Sequence, residues 1–109
     1  MTRKPFVFTL PSDGNGSLSL MKPPRTSNLR SGFVRLEPGR DVGLHSTVGN
    51  EEMIVVLEGR GSLECEGCGN LDIAGGLVAY VPPHTCHNVV NRGTGPLAYI
   101  YVVTRSTAG

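Results

Sequence analysis

The sequence lacks a long hydrophobic run, a block of like charge and a secretory leader. The apolar run nearest the N-terminus, residues 6–10, is too short for a signal-peptide core or a membrane span. Charged residues make up 17% of the chain and the formal net charge is +1, so nothing indicates a surface for nucleic acid or lipid. We therefore expect a cytoplasmic protein that binds neither nucleic acid nor a membrane.

Cysteine is scarce, and its number is odd. Three cysteines without a secretory leader argue against a disulfide scaffold. Cys65 and Cys68 have the spacing of half a zinc site or of a redox couple. The other half of a zinc site is missing, and the pair falls in a hairpin turn rather than at the start of a helix. The simpler interpretation is two thiols that flank a turn.

Helical periodicity is also absent. The chain instead alternates short stretches rich in Val, Ile, Tyr and Phe with turns supplied by 15 glycines and 8 prolines. This pattern predicts an all-β sandwich or barrel with strands at 6–10, 18–21, 32–36, 52–57, 62–66, 70–73, 77–81, 87–91 and 97–104. A length of 109 residues predicts one domain, 1–109, in which an N-terminal strand and loop segment, 1–31, precedes a barrel, 32–104.

The strand that contains Glu52 is apolar on both faces. Ile54 and Val56 share the face of the carboxylate, whereas Met53 and Leu57 lie on the opposite face. This pattern predicts burial on both sides, either in a double-layered barrel or against a second subunit. Because two-fold dimers are the commonest soluble oligomers, we expect a homodimer.

All three histidines fall in two short segments. His45 lies in the segment 39–59 together with Glu52, and His84 and His87 lie in the segment 76–91. Period-two geometry places His45 and Thr47 on one strand face, brings Glu52 in from the neighbouring strand, and starts a later strand at His87. Imidazoles and a carboxylate on facing strands can bind a divalent metal.

The spacing within these segments is similar to that of a known family, the cupins. The first segment resembles the first cupin motif at Gly39, His45, Glu52 and Gly59. The second segment resembles the second cupin motif at Gly76, Pro82, His87 and Asn91. The resemblance implies a double-stranded β-helix, or jelly-roll β-barrel, of the small single-domain cupin type. It also implies that His45, Glu52 and His87 are metal ligands.

Two residues depart from the family pattern. Thr47 stands where the family has a second histidine, and its hydroxyl is a candidate for contact with a metal-bound water or substrate. His84 stands where the second motif has glycine, and three roles are open for it: a replacement ligand, a general acid or base, or a solvated side chain. The remaining ligand set of two histidines and one carboxylate suits Fe(II), and also Mn, Ni, Co or Zn.

Two further side chains are weaker candidates. Arg35 would anchor a carboxylate or phosphate if it faces inward, although a solvated outer face is the favoured alternative. Tyr80 is a candidate proton carrier beside His84, but tyrosines at 80, 99 and 101 are also typical of strands that pack a barrel. Cys86 precedes His87 and is expected to point away from the metal.

The expected function has three forms. A metal with one carboxylate and two neutral imidazoles keeps a positive charge, so it attracts a small oxygen-rich molecule. It could support oxidative cleavage as a dioxygenase, or proton transfer as an isomerase or lyase. The alternative is a barrel that binds or senses a small ligand without turnover, in which the same residues form a metal-free polar cluster.

Overall fold

The computed structural model describes residues 3–12 and 16–106, and the predicted domain limits at residues 1 and 109 lie outside them. These described ranges contain strands and no helix, so no helix there could cross a membrane. The nine strands are β1 (Gly16–Met21), β2 (Arg30–Leu36), β3 (His45–Ser46), β4 (Asn50–Glu58), β5 (Arg60–Cys65), β6 (Gly69–Ala74), β7 (Val78–Val81), β8 (Cys86–Asn91) and β9 (Leu97–Arg105). The all-β prediction is therefore confirmed.

The strands form two antiparallel sheets. One has the order β1-β2-β9-β4-β7, and the other has the order β3-β8-β5-β6. Alternate residues from both sheets point inward and pack together as the main core, which includes Val34, Ile54, Leu63, Val89 and Leu97. Leu20, Phe33 and Ala98 form a smaller, separate buried cluster. The polar residues His87 and Asn91 are buried with it.

Tight turns let the strands return to the barrel. Gly59 joins β4 to β5 with a φ of 86°, a left-handed conformation that favours glycine. A Cβ at this position would also overlap the backbone at Pro96. These two constraints give the physical reason for a glycine at this position of the motif.

The predicted strand at 6–10 is wrong, because the chain there pairs with no other strand. The rings of Phe6 and Phe8 instead meet edge to face at 5.6 Å, and the Arg25 guanidinium lies 3.9 Å from the centre of the Phe6 ring. β propensity predicted the strand, but a strand also needs a partner with free backbone groups. The Phe6 ring thus packs against a loop residue, whereas Phe8 remains 43% exposed.

The outer face of β4 also differs from the prediction. Glu52, Ile54 and Val56 are buried as expected, but Met53 and Leu57 are 42% and 43% exposed on the opposite face. The predicted burial on both faces of this strand is thus not observed at Met53 and Leu57, and these apolar side chains are available for a partner.

Candidate metal centre

Two of the three predicted ligands lie in the interior. Glu52 on β4 and His87 on β8 come from opposite sheets and point toward each other, since each occupies an inward position of its strand. Their exposed fractions are 8% and 0%. The His87 Nε2 atom lies 3.0 Å from a Glu52 carboxylate oxygen.

The third predicted ligand comes from the edge of the smaller sheet. His45 on β3 lies directly opposite His87 in the β3–β8 ladder, which brings the two ring centres to 4.3 Å. Its side chain is exposed, so His45 lies on the solvent side of the buried pair. Ligand atoms of His45, Glu52 and His87 all lie within 4.8 Å of one another.

Backbone carbonyls orient both imidazoles. His45 Nδ1 lies 2.9 Å from the Gly43 carbonyl oxygen, and His87 Nδ1 lies 3.1 Å from that of Thr85. Because a carbonyl oxygen can only accept, each Nδ1 carries the proton and donates it. In the neutral rings the Nε2 lone pairs are then left for a metal, an arrangement common among metal-binding histidines.

The donor set fits a divalent transition metal. Two imidazole nitrogens and one carboxylate oxygen are ligands that such ions accept, and three protein ligands leave coordination positions open. The hydrogen bond to Glu52 raises the pKa of His87, although burial alone would lower it. Without metal, the contact with Glu52 therefore favours the protonated form of His87.

A cavity of about 320 Å³ opens beside this cluster. Its wall contains the three predicted ligands together with aliphatic, aromatic and hydroxyl residues: Ser17, Val34, Val42, His45, Ser46, Glu52, His87, Val89, Tyr99, Tyr101 and Val103. This volume is near the lower end of the range for small-molecule sites, which is about 300–1,000 Å³. The cavity therefore suits a small ligand that can reach the cluster.

Thr47 lies outside the cavity wall. Its strand ends at Ser46, and the Thr47 hydroxyl donates to the Pro82 carbonyl at 2.7 Å and accepts from the Thr85 amide at 3.1 Å. The side chain that stands in place of a family histidine thus ties the first segment to the turn before β8. Both hydrogen bonds of its hydroxyl are therefore to backbone atoms.

His84 is exposed and does not belong to the ligand cluster. Its φ of 57° is left-handed, and its amide donates to the Val48 carbonyl at 2.7 Å. This conformation explains why the family motif has glycine here. Of the three roles, the geometry matches the solvated side chain and not the replacement ligand.

Two other candidates lie on the outer face of the larger sheet. Tyr80 is opposite Met53, and its hydroxyl donates to a Glu51 carboxylate oxygen at 2.8 Å. Arg35 pairs with Glu58 at 2.6 Å. The favoured alternative for Arg35, an outer position, is therefore what is observed, and neither side chain lines the cavity.

Tyr99 and Tyr101 line the cavity, although no site role was predicted for them. They alternate with Ala98 and Ile100 on β9, so the alternation alone placed them on one face. What it could not supply was the register, which sets Tyr99 opposite Val56 and Tyr101 opposite Ile54 on the strand that carries Glu52. Burial and the Glu52 charge raise the pKa of Tyr99, so this phenol stays protonated.

The cysteines are free thiols, as expected, and none belongs to the ligand cluster. Cys65 lies opposite His87 in the β5–β8 ladder and packs against the core. Burial first, and then the neighbouring Cys68 thiol, raise the pKa of Cys65 to about 11. Cys86 alternates with His87 on β8, which directs it to the other face of the sheet.

Comparisons with known proteins agree with this fold. Solved structures that superpose on the chain include a protein described as a predicted oxalate decarboxylase from Thermotoga maritima, with 25% identity over 83% of this chain and 79% of that one and a TM-score of 0.77. An RmlC-like cupin with a double-stranded β-helix fold from Methanocaldococcus jannaschii has 17% identity, coverage of 92% and 90%, and a TM-score of 0.78. The predicted double-stranded β-helix is thereby confirmed.

A third structure has a stated activity. It is a sugar phosphate isomerase of the cupin superfamily from Silicibacter pomeroyi, with 28% identity, coverage of 84% of this chain and 60% of that one, and a TM-score of 0.66. No functionally curated protein matched the sequence. The model of the cupin domain family matches residues 32–103. Because that match covers most of the chain, the protein belongs to the cupin family.

Proposed function

We propose that this protein is a mononuclear metal-binding cupin that binds or transforms a small oxygen-rich molecule. The observation that carries the proposal is the convergence of His45, Glu52 and His87 at one wall of the cavity, with their ligand atoms within 4.8 Å of one another. The Nδ1 protons already engaged by backbone carbonyls support it further, because they fix which nitrogens face a metal.

The metal would be Fe, Mn, Ni, Co or Zn, all of which accept this donor set. When bound, it supplies a Lewis acid with open positions, or a centre for dioxygen chemistry in the case of Fe(II). Glu52 and His87 hold it from the buried side, and His45 closes the set from the edge of the sheet.

Metal analysis tests this proposal directly. Protein purified without a histidine tag is expected to contain close to one divalent metal per chain, and added metal is expected to raise the melting temperature of chelator-treated protein. Glu52→Gln and His87→Ala are expected to lose the metal. Asp72→Asn, at an exposed position of β6 in the smaller sheet, is expected to keep it. A wild-type protein that neither contains metal nor responds to it would refute the proposal.

This function has two forms, and the first is catalysis, either as a dioxygenase or as an isomerase or lyase. The names of the Thermotoga and Silicibacter structures support an isomerase or lyase, since they refer to a decarboxylase and an isomerase. Oxygen uptake by protein reconstituted anaerobically with Fe(II), measured over keto acids and catechols, tests the first chemistry. Exchange of substrate protons with deuterated water tests the second.

Ligand binding without turnover is the other form. A specific observation favours it: His84 and Tyr80, the predicted proton carriers, do not line the cavity. A binding protein, with or without metal, needs the cavity wall but no mobile proton. Tight binding of a metal-chelating ligand, with neither oxygen uptake nor proton exchange, is the result expected for this form.

Two further expectations belong to the proposal. We propose a homodimer, supported by the exposed apolar side chains of Met53, Leu57 and Val78 on the outer face of the larger sheet. A cytoplasmic location, with no nucleic-acid or membrane partner, is proposed from composition and charge alone.

A further inference from the structure

The charge of the cavity wall restricts which ligand can enter. Apart from the three predicted metal ligands, the wall consists of four valines, two tyrosines and two serines, with no lysine or arginine among the described residues. The nearest arginine candidate from the sequence, Arg35, is paired with Glu58 on the outer face. A ligand in this cavity therefore meets positive charge only at the metal position.

The charge at the metal position is small. A divalent ion with the Glu52 carboxylate and two neutral imidazoles has a net charge of +1, which one anionic group neutralises. A second anionic group on the same ligand would lie against valines and hydroxyl side chains. The wall offers that group no counter-charge, so any water that it loses there is not compensated, which is unfavourable.

The rest of the wall offers mainly apolar surface. Val34, Val89 and Tyr99 are buried parts of the core that reach the cavity. Tyr101 supplies a hydroxyl to the wall, and its ring lies over Gly32, whose missing side chain leaves the space. Aliphatic contacts and a few hydroxyl groups match an uncharged, mainly apolar chain.

We propose that the cavity selects small monocarboxylates with a chelating 2-oxo or 2-hydroxy group and an apolar tail, and rejects dianions of the same length. The inference rests on the proposed metal function, because the carboxylate end binds at the metal. This selection distinguishes the chain from a protein that binds a sugar phosphate or a dicarboxylate. The second negative charge of such a ligand needs a cation in the cavity wall.

A matched pair of probes tests the selection. The five-carbon acids 2-oxopentanoate and 2-oxoglutarate share the chelating end and differ only in a terminal methyl or carboxylate group. Isothermal titration calorimetry of metal-loaded protein is expected to show at least about tenfold tighter binding of 2-oxopentanoate. The readout is binding, so it does not depend on whether the protein is an enzyme.

A variant pair then locates the selection in the cavity. Ser17 lines the cavity from an edge strand and is exposed, so Ser17→Arg adds a cation there with little risk to the fold. It is expected to reduce or reverse the preference for 2-oxopentanoate. Leu18→Arg adds the same charge to the opposite face of β1 and is expected to leave the preference unchanged.

The outcomes separate the two proposals. Metal-loaded wild-type protein that binds both acids equally, prefers 2-oxoglutarate or binds neither would overturn the selection and leave the metal function standing. An equal effect of Ser17→Arg and Leu18→Arg would also overturn it, because the preference would then reflect overall charge. Failure to load metal in the prior metal analysis overturns the proposed function and this inference together.

Discussion

Gly32 lies directly opposite Tyr101 in the β2–β9 ladder, and the Tyr101 ring occupies the space that a side chain at Gly32 would fill. The glycine thus sets the position of a cavity-wall residue from a neighbouring strand. Any larger residue must push the phenol toward the cavity or distort the strand pair.

Gly32→Ala is therefore expected to destabilise the protein by about 1–3 kcal/mol, as overpacking does elsewhere, and to weaken ligand binding. Gly95→Ala is the control, since a Cβ at Gly95 meets nothing within 4 Å and its φ is not left-handed. Urea unfolding measures the first effect and calorimetry the second. Equal stability of the two variants would contradict this account of Tyr101.

The role of His84 can be decided with a single substitution. His84→Gly removes the imidazole but suits the left-handed φ of 57°, so stability is expected to change by no more than about 1 kcal/mol. Metal content is expected to stay at the wild-type level, whereas His45→Ala loses metal. Loss of metal from His84→Gly would show that His84 reaches the ion after all.

The His87 and Glu52 pair gives metal-free protein a defined pH dependence. Because the hydrogen bond to Glu52 raises the pKa of His87 above its usual 6.5, protonated His87 stabilises the fold. That stability is fully present below about pH 6.5 and is lost as the pH rises through the raised pKa of the folded state.

Urea unfolding in chelator, from pH 5.5 to 8.5, measures this dependence. Glu52→Gln is the control, and the difference between wild type and variant is expected to shrink as the pH rises. Metal affinity should change in the opposite direction, since a proton on His87 Nε2 competes with the ion. A wild-type stability advantage that grows with pH in chelator would be inconsistent with the observed pair.

The outer face of the larger sheet predicts the oligomeric state. Val78 is exposed there and lies opposite Val55, so Val78→Asp is expected to convert the proposed dimer to a monomer. Leu71→Asp places the same charge at an exposed position of β6 in the other sheet and should leave the dimer intact. Light scattering during size exclusion gives the mass. Wild-type protein that is monomeric at about 100 μM would remove this part of the proposal.

The Cys65 thiol should be slow to react at neutral pH. With a pKa of about 11, little of it is thiolate, and its alkylation by iodoacetamide is expected to accelerate up to that pH. Cys68→Ser removes the smaller contribution to the raised pKa of Cys65. The midpoint of the alkylation rate against pH should therefore fall but stay above 9.0, because burial is the larger cause. A midpoint near 9.0 in wild-type protein would mean that Cys65 is not held inside the ladder.

The family resemblance predicted His45, Glu52 and His87 as candidate ligands, and the structure brings these three side chains together. Stretches rich in Val, Ile, Tyr and Phe between turns predicted eight of the nine candidate strands within a few residues, the exception being 6–10. Spacing could not predict the partners of Thr47, which lie on the turn before β8, or the arrival of Tyr101 at the cavity. Both depend on register between segments far apart in sequence, which no local pattern encodes.

The short β3 strand has a consequence for how the centre assembles. Glu52 and His87 are hydrogen-bonded to each other in the interior, whereas His45 lies on a strand of only two residues at a sheet edge. Metal binding at all three residues would add a further connection between this sheet edge and the rest of the barrel. Residues 43–48 should then exchange their amide hydrogens more slowly once metal is added, while the interior strands change little.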